Sequence, residues 1–538
     1  MRGSTSQLIV ACCALGGVAA SPTPESESYS TSCRKTKVAI LGAGAAGITA
    51  AQTLTNASIT DFLIVDRNDY IGGRVKHTNF GKKADGTPYT VELGANWVQG
   101  LGTPGGPENP IWTLAKKYHL KNTYSDYDSI LTYDGTGYSN YTDLIDEMYD
   151  LYDIAAEEAG YYLTENLQDT SARAGFSLAG WKPKKDMKKQ AVEWWNWDFE
   201  TAWDPEQSGF VYGVTGYNLT FYQYSDENNY VWDQRGFNAF IIGEASTFLQ
   251  KNDPRLLLST MVESIAYTSD GVTVNLKNGG CIEAEHAITT FSMGVLQNDV
   301  VEFKPALPRW KREAIEQFQM GTYTKIFFQF NETFWPEDTQ YFLYADSDTR
   351  GYYPVWQSLS APGFLEGSNI IFVTVTDDQS YRVENQADEI TKAEALEVLR
   401  KMFPHKSIPE PTAFMYPRWS TEPWAYGSYS NWPVGMTLER HQNLRSNLGR
   451  LWFAGEGTSA SYFGFLHGAY FEGRDVAQRI AGLLKNVKPS SKQCTNETTI
   501  SCGNMPQYDV LHGTSPLADF DVENGWPVSS FLAYGYDG

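Results

Sequence analysis

Apolar positions along the chain fall into short runs separated by polar, turn-forming stretches. The first run, Leu8 to Ala20, follows one basic residue, Arg2, and ends in Val18-Ala19-Ala20. It is too short to span a bilayer and no stop-transfer pattern follows, so it reads as a secretory signal peptide, residues 1–20, cleaved near Ala20. Residues 21–36 are polar and rich in turn formers, which predicts a flexible lead-in with order beginning at Lys37. Val38 to Leu41 then reads as a buried strand, Ile48 to Leu54 as a helix, and Phe62 to Val65 as a second buried strand ending at Asp66. Together these make a β-α-β unit.

Further along, the pattern predicts helices over Tyr141 to Ala159 and Met187 to Trp197, within a stretch rich in Tyr, Trp and Asp. Strand-like segments return at Val272 to Leu276 and Thr324 to Phe330, and Leu451 to Ala454 is a strand running into Gly455. In the helix after it, Ala469, Val476, Ile480 and Leu483 share one face. Residues 486–538 read as an irregular tail, and no internal repeat is evident.

Composition narrows the class. The 538 residues are 42% hydrophobic and 14% aromatic, too apolar for disorder. The formal net charge is −22, and removal of residues 1–20, whose one charged residue is Arg2, makes it −23. That balance opposes binding to nucleic acid or anionic membrane, both of which need concentrated Lys and Arg. After signal cleavage no membrane contact is expected. Of six cysteines, Cys12 and Cys13 leave with the signal. The remaining Cys33, Cys281, Cys494 and Cys502 allow three pairings, of which the short Cys494–Cys502 loop is favoured. They show no metal-ligand spacing. Sequons at Asn56, Asn140, Asn218, Asn331 and Asn496 fit a secreted glycoprotein.

The β-α-β unit carries Gly42-Ala43-Gly44-Ala45-Ala46-Gly47 at its turn. In that context Gly42 allows the tight turn, Gly44 lets backbone N–H groups approach a pyrophosphate, and Gly47 permits close packing of helix on sheet. Asp66 stands where a ribose 2′-hydroxyl would be bound. A dinucleotide site follows, with NAD or FAD both open.

The residues beyond it resolve that choice by resemblance. Ile71-Gly72-Gly73-Arg74, Glu92-Leu93-Gly94-Ala95-Asn96-Trp97, Tyr323-Thr324-Lys325, Pro417-Arg418-Trp419, Phe453-Ala454-Gly455-Glu456-Gly457-Thr458 and Tyr462 to Tyr470 resemble the flavin amine oxidase superfamily. Within it the secreted polyamine oxidases of plants are the nearest likeness, over about Lys37 to Leu484. The resemblance implies an α/β fold: a Rossmann-like FAD-binding domain over 37–112, 226–308 and 434–485, interleaved with an α/β substrate-binding domain over 113–225 and 309–433.

It also implies site roles. Gly42, Gly44, Gly47 and Asp66 would hold pyrophosphate and ribose, Arg74 would offset phosphate charge, and Gly94, Ala95, Asn96, Trp97 and Trp419 would lie against the flavin. Val262 would meet adenine through its backbone, Glu456 would bind the ribityl or pyrophosphate end, and Gly464 belongs to the same second flavin motif. Lys325 would be the catalytic lysine beside flavin N5. Alternation along its strand puts Lys325 on a face with Tyr323 and Phe327, where an ammonium snorkels to solvent or is buried with a lowered pKa. Tyr429 and Phe465 would form an aromatic cage for the amine, with Tyr323 nearby. Ser428 stands where covalently flavinylated relatives have cysteine, implying non-covalent FAD. Glu200 matches one of two carboxylates that hold the cationic substrate in the plant enzymes. The other position is Gln99, which removes a charge-assisted anchor of about 1.5–3 kcal/mol.

The reaction implied is oxidation of an amine, a polyamine such as spermine or spermidine, to an imine that hydrolyses to aldehyde and smaller amine, with dioxygen reduced to hydrogen peroxide. The partners are thus a small-molecule amine and O2, and the sequence is silent on oligomeric state. An L-amino acid oxidase is the first rival, needing an arginine to clamp a carboxylate, for which Arg173, Arg235 and Arg350 are candidates. An oxidase of other specialised amines and a flavin binder that has lost turnover are the others. A histone-lysine demethylase is opposed by the signal peptide.

Overall fold

The computed structural model describes residues 32–485 apart from 166, 222 and 223. The signal peptide, most of the lead-in, the tail, Cys494–Cys502 and Asn496 lie outside the described residues. Strand β1 (Arg34–Leu41), helix α1 (Ala45–Asn56) and strand β2 (Phe62–Val65) form the expected β-α-β unit, with β1 and β2 parallel. Order therefore begins three residues before Lys37, because Arg34 to Thr36 already pair with Ile282 to Ala284 of the strand Cys281–Thr289. Cys33 and Cys281 are disulfide-bonded at the start of those two strands. This is the pairing that a Cys494–Cys502 bond would leave.

Eight strands make the sheet around this unit. Its spatial order is Leu256–Leu257, β2, β1, Cys281–Thr289, Val272–Leu276, Val262–Tyr267 and Glu302–Lys304, with Leu451–Phe453 also pairing to Cys281–Thr289. Val38 to Leu41 of β1 and all of β2 are apolar and buried on both faces, as expected of parallel strands covered by helices. One cover is α1, crossed by the helix Leu466–Leu484 at Gly473, where an added Cβ would lie 2.2 Å from the Ala46 carbonyl oxygen. Only glycine lets the two helices approach so closely.

A second, seven-stranded sheet is built from Ala413–Met415, Tyr323–Gln329, Ile370–Thr376, Val355–Ser358, Tyr341–Ala345, Ile130–Asp134 and Gly137–Tyr138, in that order. All seven residues of Tyr323–Gln329 are buried. A small sheet of Trp97–Gln99, Asn228–Val231 and Asn122–Tyr124 bridges the layers. It crosses the expected domain boundary at 112/113, since Asn122–Tyr124 pairs with a strand assigned to the other domain.

Two helices differ from expectation. Asp143–Thr164 continues beyond Ala159, since nothing in Gly160 to Thr164 supplies a stop strong enough to end it. The helix over Met187 to Trp197 is α only to Glu193, and Trp194–Asp198 is a π turn followed by Phe199–Thr201 and a left-handed Ala202. Fitting three tryptophans of this stretch into the core takes precedence over regular α geometry, and π turns of this kind accompany functional sites.

Candidate functional site

One continuous cavity runs from the β1–α1 turn to the junction with the seven-stranded sheet. At its first end, Gly42 has φ +130° and its N–H donates to the Val65 carbonyl at 2.8 Å. The Asp66 carboxylate fastens the turn, accepting from Ala43 N–H at 2.7 Å and Asn68 N–H at 2.8 Å, and burial pushes its pKa up. Gly47 serves packing: a Cβ there would stand 1.9 Å from the Gly42 carbonyl oxygen, and the residue does not line the cavity.

Gly44 has a different reason to be glycine. Its φ of −78° suits any residue, and the nearest atoms to an added Cβ are 3.9 Å away. The protein itself does not require glycine there. An occupant pressed against the N-terminus of α1 does, and the free N–H groups of that first turn favour a phosphate. The residues present thus fit the pyrophosphate of a dinucleotide.

In the middle of the cavity Arg74 pairs with Glu456 at 2.8 Å and donates to the Ser428 carbonyl at 3.0 Å. Glu456 also accepts from Ser430 Oγ at 3.0 Å, Ser430 N–H at 3.2 Å and Gly464 N–H at 2.9 Å. Those four donors occupy all its acceptor positions. Glu456 itself lines the cavity, as expected, and is also a hub that fixes Arg74, Ser430 and Gly464 around it. Gly94, Ala95, Asn96, Trp97, Val262, Trp419 and Gly464 all line the wall, and Trp419 Nε1 donates to the Leu93 carbonyl at 3.3 Å.

Lys325 is 1% exposed, so the buried alternative holds and the snorkelling one does not. Its Nζ donates to the Gly94 carbonyl at 2.6 Å and to Asn96 Oδ1, and stands 5.5 Å from the Trp97 ring centre. Those partners line the cavity while Lys325 lies one layer behind them. Burial holds its pKa below the usual lysine range, opposed by Glu92, whose own pKa burial raises. Glu92 accepts from Phe237 N–H at 2.6 Å. Glu92 opens the same motif as Gly94, but nothing in the sequence marks it as the acidic neighbour of Lys325.

The far end is aromatic. Tyr127, Phe199, Tyr217, Tyr323, Tyr429, Phe463 and Phe465 line it with Gln99 and Glu200. Tyr323 and Tyr429 are 6.0 Å apart between ring centres, and Tyr429 Oη donates to the Glu200 main-chain carbonyl at 2.8 Å. Gln99 Nε2 donates to the Glu200 carboxylate, so the two residues named from separate motifs meet. Burial raises the Glu200 pKa to about 8, against the lowering by Gln99. The π turn delivers Glu200 here while aiming Asp198 at Arg350. Tyr127, Tyr217, Phe199 and Phe463 were not foreseen as site residues. The first two come from a tyrosine-rich stretch in which no spacing marks one ring over another.

Among the described residues, Glu200 is the one acidic side chain lining this aromatic end. None of the three candidate carboxylate clamps reaches it. Arg173 pairs with Glu193 and Glu206, Arg235 with Asp233, and Arg350 with Asp198 and Glu193. Of the arginines that do line the cavity, Arg74 is held in its middle by Glu456 and Arg67 donates to the Pro423 carbonyl at 2.9 Å. Such a lining combines apolar surface with one hydrogen-bonding carboxyl group.

Comparison with known proteins agrees in kind. The family model described as flavin containing amine oxidoreductase matches residues 45–481. The chain is 39% identical over 464 residues to polyamine oxidase 1 of Zea mays, covering 82% of this chain and 89% of that one. It is 38% identical over 457 residues to polyamine oxidase 7 of Oryza sativa subsp. japonica, covering 81% and 93%. A solved putrescine oxidase, wild type bound to putrescine, superposes with a TM-score of 0.64 at 18% identity, covering 84% of this chain and 100% of that one, a likeness of fold.

Proposed function

From the premise that this chain belongs to the flavin containing amine oxidoreductases and is an FAD-dependent amine oxidase, we propose that its substrate is a polyamine such as spermine or spermidine. The observation that carries this is Glu200, a carboxylate that is set among seven aromatic rings and, among the described residues, forms no ion pair with an arginine. When bound, FAD supplies a two-electron acceptor for the C–H next to nitrogen and passes the electrons to dioxygen, which leaves as hydrogen peroxide.

The chain's own residues prepare the amine. Hydride leaves readily only when the reacting nitrogen is neutral, and the rings of Tyr429, Phe465 and Tyr323 exclude water and so disfavour the ammonium. Glu200 accepts hydrogen bonds from a different, charged nitrogen of the same substrate. Its pKa of about 8 means that an arriving cation promotes its ionisation. Water then hydrolyses the imine to an aldehyde and a smaller amine. Lys325 holds the Gly94–Asn96 segment of the wall and, sharing its field with Glu92, keeps a basic group near the reacting end.

We also propose that FAD is held non-covalently and that the protein is a secreted glycoprotein. Ser428 offers a hydroxyl, hydrogen-bonded to Tyr323 N–H at 2.9 Å, in place of a reactive thiol. The Cys33–Cys281 bond suits an oxidising compartment. Asn56, Asn140 and Asn331 are exposed and remain acceptors for glycan. Asn218 is 7% exposed inside Phe210–Phe221 and is withdrawn as one. Acid precipitation that leaves flavin in the pellet, or an unchanged mass after glycosidase treatment of protein from a eukaryotic host, refutes these two points respectively.

The substrate test is anaerobic mixing of the yellow protein with spermine, spermidine, their acetylated forms, simple monoamines and L-amino acids. Bleaching of the flavin by polyamines is expected. Bleaching by amino acids alone transfers the assignment to an L-amino acid oxidase, and none with any leaves a flavin binder without turnover.

A further inference from the structure

Behind Phe465 lies a buried polar chain that the reaction does not use. His467 is 2% exposed and stacks on Phe465, with ring centres 5.2 Å apart and planes 27° apart. The edge of Phe221 closes the phenyl ring from another side at 5.9 Å and 75°. Two polar side chains meet the His467 ring, and one of them carries the contact on to Gln99. Asn109 Nδ2 is 3.3 Å from Nδ1, Thr220 Oγ1 is 3.0 Å from Nε2, and Asn109 Nδ2 also reaches the Gln99 carbonyl at 2.9 Å.

The tautomer follows from these contacts. Asn109 Oδ1 accepts from Ile111 N–H at 2.9 Å, capping the helix Pro110–Lys117, and this fixes which end of the amide is NH2. Both hydrogens of that NH2 are then committed, one to the Gln99 carbonyl and one to His467 Nδ1. Nδ1 must therefore be a bare acceptor, the proton sits on Nε2, and Nε2–H donates to Thr220 Oγ1. The ring is neutral, as burial also favours.

We propose that Asn109 and His467 form a brace that sets the aromatic wall against the anchor. On one side the brace holds the main chain of Gln99, whose side chain holds Glu200. On the other it holds the face of Phe465. His467 is thus a positioning residue, fixing the separation between the charged and the reacting nitrogen of the substrate. It rests on the reading of this end of the cavity as the amine pocket, and the tests below separate the two.

The holoenzyme is compared with His467→Gln, whose amide can reproduce both hydrogen bonds, His467→Leu, which fills the space and makes neither, and Thr220→Val, which removes the acceptor of Nε2–H while keeping its shape. Stopped-flow reduction by the best amine gives the rate and apparent Kd, and dithionite-reduced enzyme mixed with O2 gives reoxidation. Expected are a loss of tenfold or more in reduction rate for His467→Leu, a several-fold loss for Thr220→Val, recovery to within about threefold for His467→Gln, and unchanged reoxidation. Equal losses in His467→Gln and His467→Leu, or a reoxidation rate that falls as far as reduction, overturn the brace. Should His467→Leu fail to fold, the Thr220→Val comparison decides, and an unchanged reduction rate there overturns it. Independently of any amine, ring 15N shifts of histidine-labelled protein, assigned through His467→Gln, must show the Nε2–H tautomer. An Nδ1–H form or an imidazolium overturns the brace even if the enzyme turns over. The correct tautomer in a protein that no amine reduces would leave the brace standing and remove the substrate reading.

Discussion

Gln99 and Glu200 show how much one atom decides at this site. With an amide at 99 the anchor is a single carboxylate that accepts from its neighbour; with a carboxylate there it would become a pair of acids facing one cation. Gln99→Glu is expected to raise kcat/KM for spermine about tenfold relative to a monoamine, the lower end of a charge-assisted hydrogen bond. Steady-state peroxide assays on both substrates check it, and an unchanged ratio would show that position 99 does not meet substrate charge. Glu200 makes a pH prediction. Its folded pKa of about 8 lies above the unfolded value of 4.5, so the folded state holds more protons between those limits and stability falls as pH rises through the window. Glu200→Gln removes that loss. Denaturant midpoints of variant and wild type should lie close at pH 4.5 and separate by pH 8 in favour of the variant, while amine turnover drops. Residue identities such as Gln99, Lys325 and Asp66 were legible because they sit in motifs. The meeting of Gln99 with Glu200, the pairing of Arg74 with Glu456 and the layer that separates Lys325 from the cavity were not, since each joins residues far apart along the chain.

At the scale of elements, α1 separates two uses of glycine. Gly47 is a packing requirement and Gly44 a clearance. Gly47→Ala is expected to cost about 3 kcal/mol by overpacking against the Gly42 carbonyl, seen as a lower unfolding midpoint of the protein freed of FAD. Gly44→Ala should leave that midpoint within about 1 kcal/mol, since its backbone suits alanine, yet weaken FAD binding tenfold or more in a fluorescence titration. Equal effects on stability would refute the distinction. The β-α-β unit was legible because its apolar runs, turn and acid are contiguous. The π turn at Trp194–Asp198 was not, because hydrophobic periodicity cannot register a single extra residue whose cause is the fit of Trp194, Trp195 and Trp197 into the core.

Across the whole molecule, the Cys33–Cys281 bond closes a loop with a sequence separation of 248. The chain-entropy model assigns such a loop about 5 kcal/mol, through the unfolded state. Cys33→Ser with Cys281→Ser should therefore lower the unfolding midpoint clearly while leaving the amine-dependent rate of flavin reduction intact, as the bond is not among the residues that line the cavity. A midpoint that does not move would mean that the two strands, already paired side by side, gain nothing from the crosslink. What the sequence alone determined were the features carried by contiguous residues: the dinucleotide turn, the strands and helices of the first unit, the acidic charge and the family resemblance. Only the tertiary structure decided which of the named residues share a chamber, that Glu200 stands among its aromatic rings, that Asn218 is buried, and that His467 stands behind Phe465. Local propensity is written in neighbours along the chain, whereas burial, desolvation and hydrogen-bond saturation are properties of neighbours in space.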